Sequence, residues 1–405
     1  MRVTIDVTPT IQRHAGLGRY AGELAAALAA LPDGPRVRLF STDPRGRRPD
    51  PPLDRLPRRA LRWPNKPWRM SALISQYGRL PLDGLIGGGD VFHATDHLLP
   101  SLAGPRSVFT LHDLIFLRYP EAHLPLNRWF LTLMMPRFLR SADAVICVSE
   151  WTKRDAQRAY GLDEAKLTVI PEAADDRFQP IGDPDRLAAV RARYLLPERF
   201  ILCVTTIEPR KNLVTLWEAY RALRLTGRTE PLVVVGRKGW LYQPTFDRLR
   251  ELGLDDQVIF PGWVEEEDLP VVYNLATCFV FPSLDEGFGL PPLEALASGC
   301  PVVCSDASSL PEVCGDAALL VPPTDAAALT SALDRVLGDA ALRRDLRDRG
   351  LARAARFSWE KAAQETLDVY RSVVRGRSRA AIGGRGLGAP HPSPLPPGEG
   401  GVPTD

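Results

Sequence analysis

The sequence predicts an α/β protein made of two Rossmann-like domains that face each other across a cleft. Short β-branched runs alternate with longer amphipathic stretches, a pattern typical of strand–helix–strand units with a parallel sheet. The alternation occurs in two successive series, separated by a segment rich in proline and aspartate, Gln179–Asp185. The chain has 405 residues, of which 45% are hydrophobic, and this is enough to form two cores.

The first series predicts six strands and three main helices. The strands are expected at Arg2–Val7, Val37–Ser41, Val91–Ala94, Ser107–Leu111, Ala144–Val148 and Leu167–Ile170. The helices are expected at Gly18–Leu31, Pro125–Ser141 and Glu150–Gly161. Ser149 is predicted to cap the third helix, because serine at such a boundary accepts a hydrogen bond from an unpaired backbone N–H.

The second series also alternates short predicted strands with longer predicted helices. Its strands are expected at Phe200–Thr205, Pro231–Val235, Val258–Phe260, Cys278–Phe281, Pro301–Cys304 and Ala318–Val321. Its helices are expected at Arg186–Tyr194, Asn212–Leu225, Leu290–Ser298, Ala341–Phe357 and Trp359–Val374.

These elements predict how the chain is divided. We expect a first domain, a linker, a second domain, a helix that crosses back to the first domain and a disordered tail, at residues 1–178, 179–198, 199–357, 358–375 and 376–405. The tail is rich in glycine and proline and poor in large apolar residues, so it cannot bury a core.

Charge and cysteine usage exclude several classes of protein. The 51 basic and 49 acidic side chains leave a net charge of +2, which argues against a nucleic-acid partner. The six cysteines lie in apolar runs without zinc-type spacing, so we expect buried thiols and no metal. The N-terminus lacks a cleavable apolar core, and no run approaches the roughly 20 apolar residues of a membrane span. We expect a cytoplasmic protein, either soluble or peripheral at the inner face of the plasma membrane.

Residues 36–69 form a locally basic segment in which Trp63 and Trp68 lie among prolines. Two interpretations stay open. The segment is a solvated irregular loop, or it is an interfacial patch where arginines meet anionic lipid headgroups and the tryptophans lie at headgroup level.

Two loops of the first domain carry residues suited to ligand binding. Gly16 and Gly18 open a helix after the first strand, and a tight turn explains this G-x-G about as well as a phosphate site does. His112 follows a later strand at its carboxyl end, where sheets of this type bind ligands. We therefore predict a functional role for His112, whereas His93 and His97 could equally be structural.

Two loops of the second domain point to an anionic ligand. Adjacent Arg210 and Lys211 precede a helix, where cations oppose the helix dipole, so a diphosphate ligand is favoured there. Glu286 and Glu294 lie on either side of a Gly-x-Gly turn whose backbone N–H groups suit phosphates. Carboxylates flanking an anion-binding turn fit a nucleotide sugar, in which phosphates separate two hydroxyl-bearing sugars.

The stretch EGFGLPPLE, from Glu286 to Glu294, resembles the E-x7-E motif of glycosyltransferase family 4, which comprises retaining enzymes of the GT-B fold. The likeness covers about residues 1–375. It is supported by the stretches GLGRY, VSEWTKRD, TTIEPRKN, VVVGRKGW and FPGWVEEEDLPVVYNLA.

The resemblance implies roles for individual residues. Arg210 and Lys211 would hold the donor diphosphate and stabilise the leaving nucleotide without a metal or other cofactor. Glu294 would accept hydrogen bonds from the ribose, and His112 would contact the donor sugar near its anomeric carbon. Glu286 would position the transferred sugar rather than act as a covalent nucleophile.

The same resemblance assigns backbone contacts. Gly16 and the Gly18 amide would approach the phosphate from the first, acceptor-side domain. The remaining contacts would come from the second, donor-binding domain, with amides of Phe288, Gly289 and Leu290 at the sugar and phosphates, and the base flanked by Gly262, Trp263 and Val264.

The chain departs from the family at one point. Where the family often has PNGVD, this chain has PEAAD, Pro171 to Asp175, at the acceptor side or hinge. The pair Asp183 and Asp185 matches a metal-binding D-x-D only superficially, because it falls in the linker.

The expected activity is transfer of a hexose from a nucleotide sugar, preferably GDP-mannose, with retention. The acceptor would be a cell-surface polysaccharide or a lipid-linked glycan precursor, as in lipopolysaccharide biosynthesis. A UDP-sugar-dependent enzyme of the same fold and a non-catalytic nucleotide-sugar-binding protein are the alternatives. A nicotinamide oxidoreductase is disfavoured, because no G-x-G-x-x-G follows the first strand.

Overall fold

The computed structural model describes residues 1–383, which form two α/β units, each with one parallel sheet between helices. The strands of the first sheet are β1 Arg2–Asp6, β2 Arg36–Thr42, β3 Arg58–Leu61, β4 Val91–Ala94, β5 Arg106–Leu111, β6 Ala144–Cys147 and β7 Leu167–Val169. Those of the second are β8 Ile201–Val204, β9 Leu232–Val235, β10 Val258–Ile259, β11 Cys278–Phe281, β12 Val302–Ser305 and β13 Ala318–Val321.

Helices connect the strands and cover the sheets. In the first half they are α1 Thr8–Ile11, α2 Ala15–Ala30, α3 Asn65–Gly78, α4 Asp83–Ile86, α5 Ile115–Arg118, α6 Pro125–Ser141 and α7 Glu150–Tyr160. In the second half they are α8 Pro184–Arg193, α9 Leu213–Leu225, α10 Gln243–Glu251, α11 Leu269–Leu275, α12 Leu290–Ala297, α13 Leu310–Cys314, α14 Ala326–Gly338, α15 Ala340–Ala354 and α16 Trp359–Gly383.

The strand order is β3-β2-β1-β4-β5-β6-β7 in the first sheet and β10-β9-β8-β11-β12-β13 in the second. The strands pair in parallel, for example Ile5 of β1 with Leu39 of β2, and Phe279 of β11 with Val302 of β12. This arrangement confirms the predicted class of two Rossmann-like domains.

Most strands could be predicted from the sequence because their side chains are buried on both faces of the sheet. In β5, Val108 and Phe109 point to opposite faces of the sheet and contribute to different core clusters, and both are fully buried. Strands buried on both sides appear as continuous apolar runs. Each predicted strand is confirmed to within one residue at its ends, and Ser149 caps α7 as expected by accepting a bond from the Thr152 N–H.

The structure bears on both interpretations of the basic segment 36–69, in which Trp68 is buried but Trp63 is 36% exposed. The segment contains β2, β3 and the first turn of α3, so it is not an irregular loop. Trp68 is 1% exposed and packs against Phe40 with 5.3 Å between the ring centroids, so its ring cannot lie among lipid headgroups. Strand β3 was missed because it is a short edge strand, RRAL, whose charged residues hide the strand pattern.

The last helix, α16, packs against α2 of the first unit. The Tyr370 hydroxyl shares a hydrogen bond of 2.7 Å with Nδ1 of the fully buried His93, whose Nε2 pairs with Thr110. The helix continues to Gly383, beyond the expected boundary at Arg375. The rest of the predicted tail, residues 384–405, lies outside the described residues. None of the helices within residues 1–383 has the length and apolar character that a membrane crossing requires.

Candidate active site

The candidate site lies between the carboxyl ends of the two sheets, where loops from both units touch. The hydroxyl of Ser149, after β6, donates a 2.5 Å hydrogen bond to the carbonyl of Gly287, after β11. The indole N–H of Trp240, after β9, donates to the carbonyl of Ala122, which precedes α6. These two contacts join the units next to the loops that contain the candidate residues predicted from the sequence.

A cluster of charges occupies the loop after β8. Arg210 and Lys211 form a single 3-10 turn before α9. Lys211 Nζ lies 2.6 Å from Glu286 Oε1, and Arg210 Nη1 lies 2.9 Å from Glu286 Oε2. Arg210 Nη2 also donates to Glu208 Oε1 at 2.6 Å, and Ser283 donates to Glu286 at 2.6 Å. The structure therefore brings three predicted residues together and adds Glu208 and Ser283.

The two cations fix the protonation state of Glu286. Burial raises the pKa of its carboxyl group, but the positive charges of Arg210 and Lys211 outweigh burial and lower the pKa to about 2. Glu286 is therefore ionised at neutral pH and can only accept hydrogen bonds. A carboxylate held by two cations is well suited to orient sugar hydroxyls and poorly suited to attack carbon.

The glycine-rich turn after β11 leads directly into α12. Gly289 has φ +111°, a left-handed backbone conformation that favours glycine, and a Cβ there would lie 2.7 Å from Leu310 Cδ2. Leu290 begins α12, whose first backbone N–H groups lack partners within the helix. Phe288 is 4% exposed and its ring packs against Phe357, so only its backbone is suited to ligand contact.

Glu294 lies one turn into α12 and is buried, with 1% of its surface exposed. Its Oε1 forms an ion pair with Arg19 of α2, and its Oε2 accepts a 3.1 Å hydrogen bond from the Tyr273 hydroxyl. Arg19 belongs to the first unit, so this ion pair crosses the cleft. The carboxylate expected to bind a ribose is thus engaged by an arginine of the opposite unit.

His112 follows β5 and is held between two acceptors. Its Nε2 lies 3.0 Å from the Thr95 carbonyl, and its Nδ1 lies 3.3 Å from Glu172 Oε1. Burial alone would lower the pKa of His112, but the hydrogen bond and negative charge of Glu172 outweigh it, so the pKa is raised above 6.5. Because a carbonyl and a carboxylate both accept, the arrangement favours the doubly protonated imidazolium.

His112 also contacts the other unit through its backbone. A Cβ on Gly287 would lie only 1.8 Å from the His112 carbonyl oxygen. The Thr152 hydroxyl lies within hydrogen-bonding distance of both carbonyls, at 3.1 Å from His112 and 3.2 Å from Gly287. Gly287 therefore permits a close backbone approach between the two units.

Of the two glycines expected to approach the phosphate from the first unit, Gly18 needs correction. The Gly18 N–H donates to the His14 carbonyl at 2.8 Å because α2 begins at Ala15, so this amide is not available to a phosphate. A Cβ at Gly18 would lie 2.9 Å from the Pro9 carbonyl, which explains the glycine by packing. Gly16, at the first turn of α2, has open space around it.

The segment expected beside the base lies after β10. Gly262 adopts φ +83°, and Trp263 is half exposed, with the Arg237 guanidinium 4.1 Å from its ring centroid. Val264 is 5% exposed and belongs to the hydrophobic core, so its side chain is not free to flank a base. Within this segment, Trp263 presents the open surface.

Within residues 1–383, no three His, Cys, Asp or Glu side chains come together in a way that could bind a metal ion. The six cysteines are buried free thiols, and burial raises the pKa of Cys147 and Cys203 to about 12. Arg210 and Lys211 place two positive charges beside Glu286 in this site.

Sequence reasoning missed the partners of the predicted residues. Arg19 and Glu294 are 275 residues apart, and His112 and Glu172 are 60 apart, so no local spacing indicates either pair. Glu172 does stand out in the sequence, because it lies in the stretch PEAAD that departs from the family pattern.

Two family models match the chain, one on each unit. The model described as Glycosyltransferase Family 4 matches residues 14–178, and the model described as Glycosyl transferases group 1 matches residues 191–353. Together they cover every strand of the two sheets except β1, and they include the loops after β5, β8 and β11.

Relatives and a solved structure agree with these matches. O-antigen chain mannosyltransferase B of Escherichia coli is 29% identical over 389 residues, which are 92% of this chain and 100% of that protein. The serotype-specific mannosyltransferase WbdA of Escherichia coli is 33% identical over 287 residues, 69% of this chain but only 35% of WbdA. The sucrose-phosphate synthase (tll1590) from Thermosynechococcus elongatus superposes with a TM-score of 0.75 at 25% identity, over 93% of this chain and all of that one.

Proposed function

The chain belongs to glycosyltransferase family 4 and has the GT-B fold, and on this premise we propose that it is a retaining mannosyltransferase that uses GDP-mannose. The proposed acceptor is a cell-surface polysaccharide or its lipid-linked precursor. Mannose as the transferred sugar is supported by the names of the two Escherichia coli relatives. A UDP-sugar donor is the second candidate, because the same scaffold can hold either base.

The observation that carries the proposal is the convergence of Arg210 and Lys211 on one point beside the turn before α12. A donor diphosphate placed there would share both cations with Glu286. When the bond from the anomeric carbon to the phosphate oxygen breaks, negative charge grows on the released nucleotide. Cations fixed in advance at that position stabilise the transition state more than the ground state.

The configuration at the anomeric carbon is retained if the acceptor attacks from the same face that the phosphate leaves. The acceptor hydroxyl oxygen bonds to the anomeric carbon on the face that the phosphate leaves, and its proton passes to the released phosphate. Glu286, ionised and held by two cations, would orient hydroxyls of the transferred sugar. His112, held as an imidazolium by Glu172, would face the donor sugar from the other unit.

Donor turnover tests the proposal. We expect purified protein with lipid-linked acceptor to release GDP from GDP-mannose faster than UDP from UDP-glucose, with an α-linked product by NMR. Lys211→Met should lower kcat by about 100- to 1000-fold, as for loss of one transition-state donor. The matched control is Lys361→Met on the exposed face of α16, where 63% of the lysine side chain is exposed; this variant should retain wild-type turnover.

The alternatives give different results. Faster release of UDP from UDP-glucose would establish the UDP-sugar enzyme. Binding of a nucleotide sugar without turnover of any donor would favour the non-catalytic binding protein. An inverted product would exclude the same-face route.

A further inference from the structure

The Glu294 carboxylate of the second unit is covered by one side chain of the first unit. Arg19 of α2 forms an ion pair with its Oε1, and the Tyr273 hydroxyl donates a 3.1 Å hydrogen bond to its Oε2. The Glu294 side chain is only 1% exposed, whereas that of Arg19 is 17% exposed. Arg19 is therefore the outer member of the pair and separates the carboxylate from the cleft.

Within this group of side chains, Arg19 is the one that can move aside. Tyr273 is fully buried, and its ring packs against the rings of Phe178 and Phe279. The Arg19 guanidinium lies over the Phe178 ring, 5.6 Å from its centroid. A guanidinium keeps its attraction to an aromatic face while it shifts across that face. A ligand therefore reaches Glu294 only by displacing Arg19.

A second pair of carboxylates lies within reach of Arg19. Glu23 is four residues after Arg19 on α2, so the two side chains lie on the same face of the helix. Its carboxyl group shares a hydrogen bond with Asp175, which also pairs with Arg177 at 2.8 Å. The Phe178 ring under Arg19 lies beside this pair, because the Phe178 N–H donates to the Asp175 carbonyl at 2.9 Å. One arginine thus serves two carboxylates, and a second guanidinium would complete the charge balance.

The protonation of Glu23 reflects this imbalance of charge. Burial and then the negative charge of Asp175 raise the pKa of Glu23 to about 7, although Arg177 and Arg19 oppose the shift. Burial also acts on Asp175, but the hydrogen bonds from Arg177 outweigh it, so the pKa of Asp175 is lowered. Glu266 of the second unit faces Arg177 and adds negative charge to the cluster. Glu23 is therefore about half protonated at pH 7 and donates its proton to ionised Asp175.

A nucleotide bound as proposed above needs the carboxylate that Arg19 covers. Its diphosphate would lie at the glycine-rich turn before α12, beside Arg210 and Lys211. These two cations also hold Glu286, so Glu294, one turn into α12, is the carboxylate expected to accept hydrogen bonds from the ribose. Two neighbouring hydroxyls can donate to a carboxylate only where its oxygens are uncovered. Arg19 and the ribose therefore exclude each other at Glu294.

We propose that Arg19 is a gate on the donor site: its guanidinium and the ribose of the nucleotide compete for Glu294, and nucleotide binding transfers Arg19 to Glu23 and Asp175. The inference rests on the proposed function for the class of ligand. The exchange breaks one O–H bond, because the arriving guanidinium stabilises the Glu23 carboxylate and the proton of Glu23 passes to solvent. The first unit thereby responds to a nucleotide held by the second.

Nucleotide binding to the full chain tests the gate. Isothermal titration calorimetry gives Kd for GDP and for 2′,3′-dideoxy-GDP, which lacks both ribose hydroxyls. Arg19→Gln should lower the Kd of GDP about tenfold, as expected when a competing state populated about nine times in ten is removed. The Kd of dideoxy-GDP should not fall, because that nucleotide does not compete for Glu294. An arginine that only held phosphates would have the opposite effect, weaker binding of both nucleotides.

A second variant tests the other position of Arg19. Glu23→Gln removes the charge that receives the guanidinium, so it should raise the Kd of GDP about two- to threefold, the size of an ion pair between residues four apart on a helix. In the wild type, GDP binding at pH 7 should release about half a proton, measured by titration in buffers of different ionisation enthalpy. Glu23→Gln should abolish this release.

The matched control is Arg36→Gln. Arg36 is exposed at the first residue of β2, so it lies at the edge of the first sheet opposite the carboxyl ends of the strands. This variant should bind both nucleotides as the wild type does and release the same fraction of a proton.

Three results would overturn the gate. The first is an Arg19→Gln variant that binds GDP no more tightly than the wild type, and the second is an equal gain for GDP and dideoxy-GDP. The third is a Glu23→Gln variant with wild-type Kd and proton release, which decides the question even if Arg19→Gln does not fold.

The gate and the proposed function can fail separately. If GDP-mannose is not turned over but the differences in Kd hold, the activity falls and the gate stands. If turnover is observed but Arg19→Gln does not tighten GDP, the activity stands and the gate falls. For a UDP-sugar enzyme the same comparison is made with UDP and 2′,3′-dideoxy-UDP, and a wild type that binds neither GDP nor UDP would overturn the gate.

Discussion

The pairing of His112 with Glu172 makes the stability of the fold depend on pH. The pKa of His112 is raised in the folded protein because the Glu172 carboxylate outweighs the effect of burial. A histidine with a raised pKa stabilises the fold fully below its unfolded pKa of about 6.5, and this contribution is lost as pH rises through the folded pKa.

Glu172→Gln is therefore expected to destabilise the protein most near pH 6 and least near pH 9. The loss near pH 6 should be about 1 to 3 kcal/mol, the range for a buried hydrogen bond to a charged group. Urea unfolding at the two pH values measures it. Glu164→Gln is the control, because Glu164 is a largely exposed partner of Lys153. An equal loss at both pH values would show that Glu172 does not stabilise the imidazolium.

Single residues also show the limit of sequence reasoning about the site. Glu286, Glu294, Arg210 and Lys211 could be identified as candidates because each lies in a compact motif after a strand. The engagement of Glu294 by Arg19 could not, because nothing near either residue signals a contact across 275 positions. Gly18 was misassigned because a glycine needed for packing on Pro9 has the same appearance in a sequence as one needed for a phosphate.

Among the elements, the turn between β11 and α12 controls how closely the two units approach. Gly287 is not among the residues with positive φ, so alanine fits its backbone, but the added Cβ would lie 1.8 Å from the His112 carbonyl. The conflict arises only when the units are closed.

Gly287→Ala should therefore lower kcat by about 100-fold, the cost of displacing reacting groups by an ångström. Its thermal unfolding should remain close to that of the wild type, because both cores are untouched. Steady-state kinetics and calorimetry measure the two effects. Gly182→Ala serves as control, since a Cβ there meets nothing within 4 Å. Wild-type kcat in Gly287→Ala would mean that turnover does not require this approach.

The sequence predicted the buried strands well but missed β3 and α3, and the difference has a physical reason. Strands buried on both faces have continuous apolar runs, so their positions follow from hydrophobicity alone. Strand β3 and helix α3 lie at the edge of the first sheet, where basic residues and prolines obscure the apolar period. Helix α3 lies mostly beyond the segment 36–69, and the sequence pattern did not predict it.

At the scale of the whole molecule, ion pairs across the cleft hold the two units closed. Arg118 of α5 pairs with Asp155 in its own unit and with Asp285 of the second unit. Glu312 of the second unit accepts backbone hydrogen bonds of 2.9 and 3.2 Å at the start of α7. Helix α16 joins the units independently through Tyr370 and His93, so loss of these pairs would open the cleft without separating the units.

Arg118→Ala should shift the protein toward an open form, and the shift should depend on pH. Asp285 is 2% exposed, and burial raises the pKa of its carboxyl group even though Arg118 opposes that effect. Without Arg118 the closed form must bury an unpaired carboxylate above that pKa, whereas at lower pH the protonated carboxyl can remain buried. The radius of gyration from small-angle X-ray scattering should therefore exceed the wild-type value at pH 8 and approach it at pH 5.

Arg228→Ala is the control, because it breaks an ion pair with Asp334 inside the second unit, and it should leave the radius of gyration unchanged. A radius for Arg118→Ala that matches the wild type at both pH values would show that other contacts suffice to keep the cleft closed.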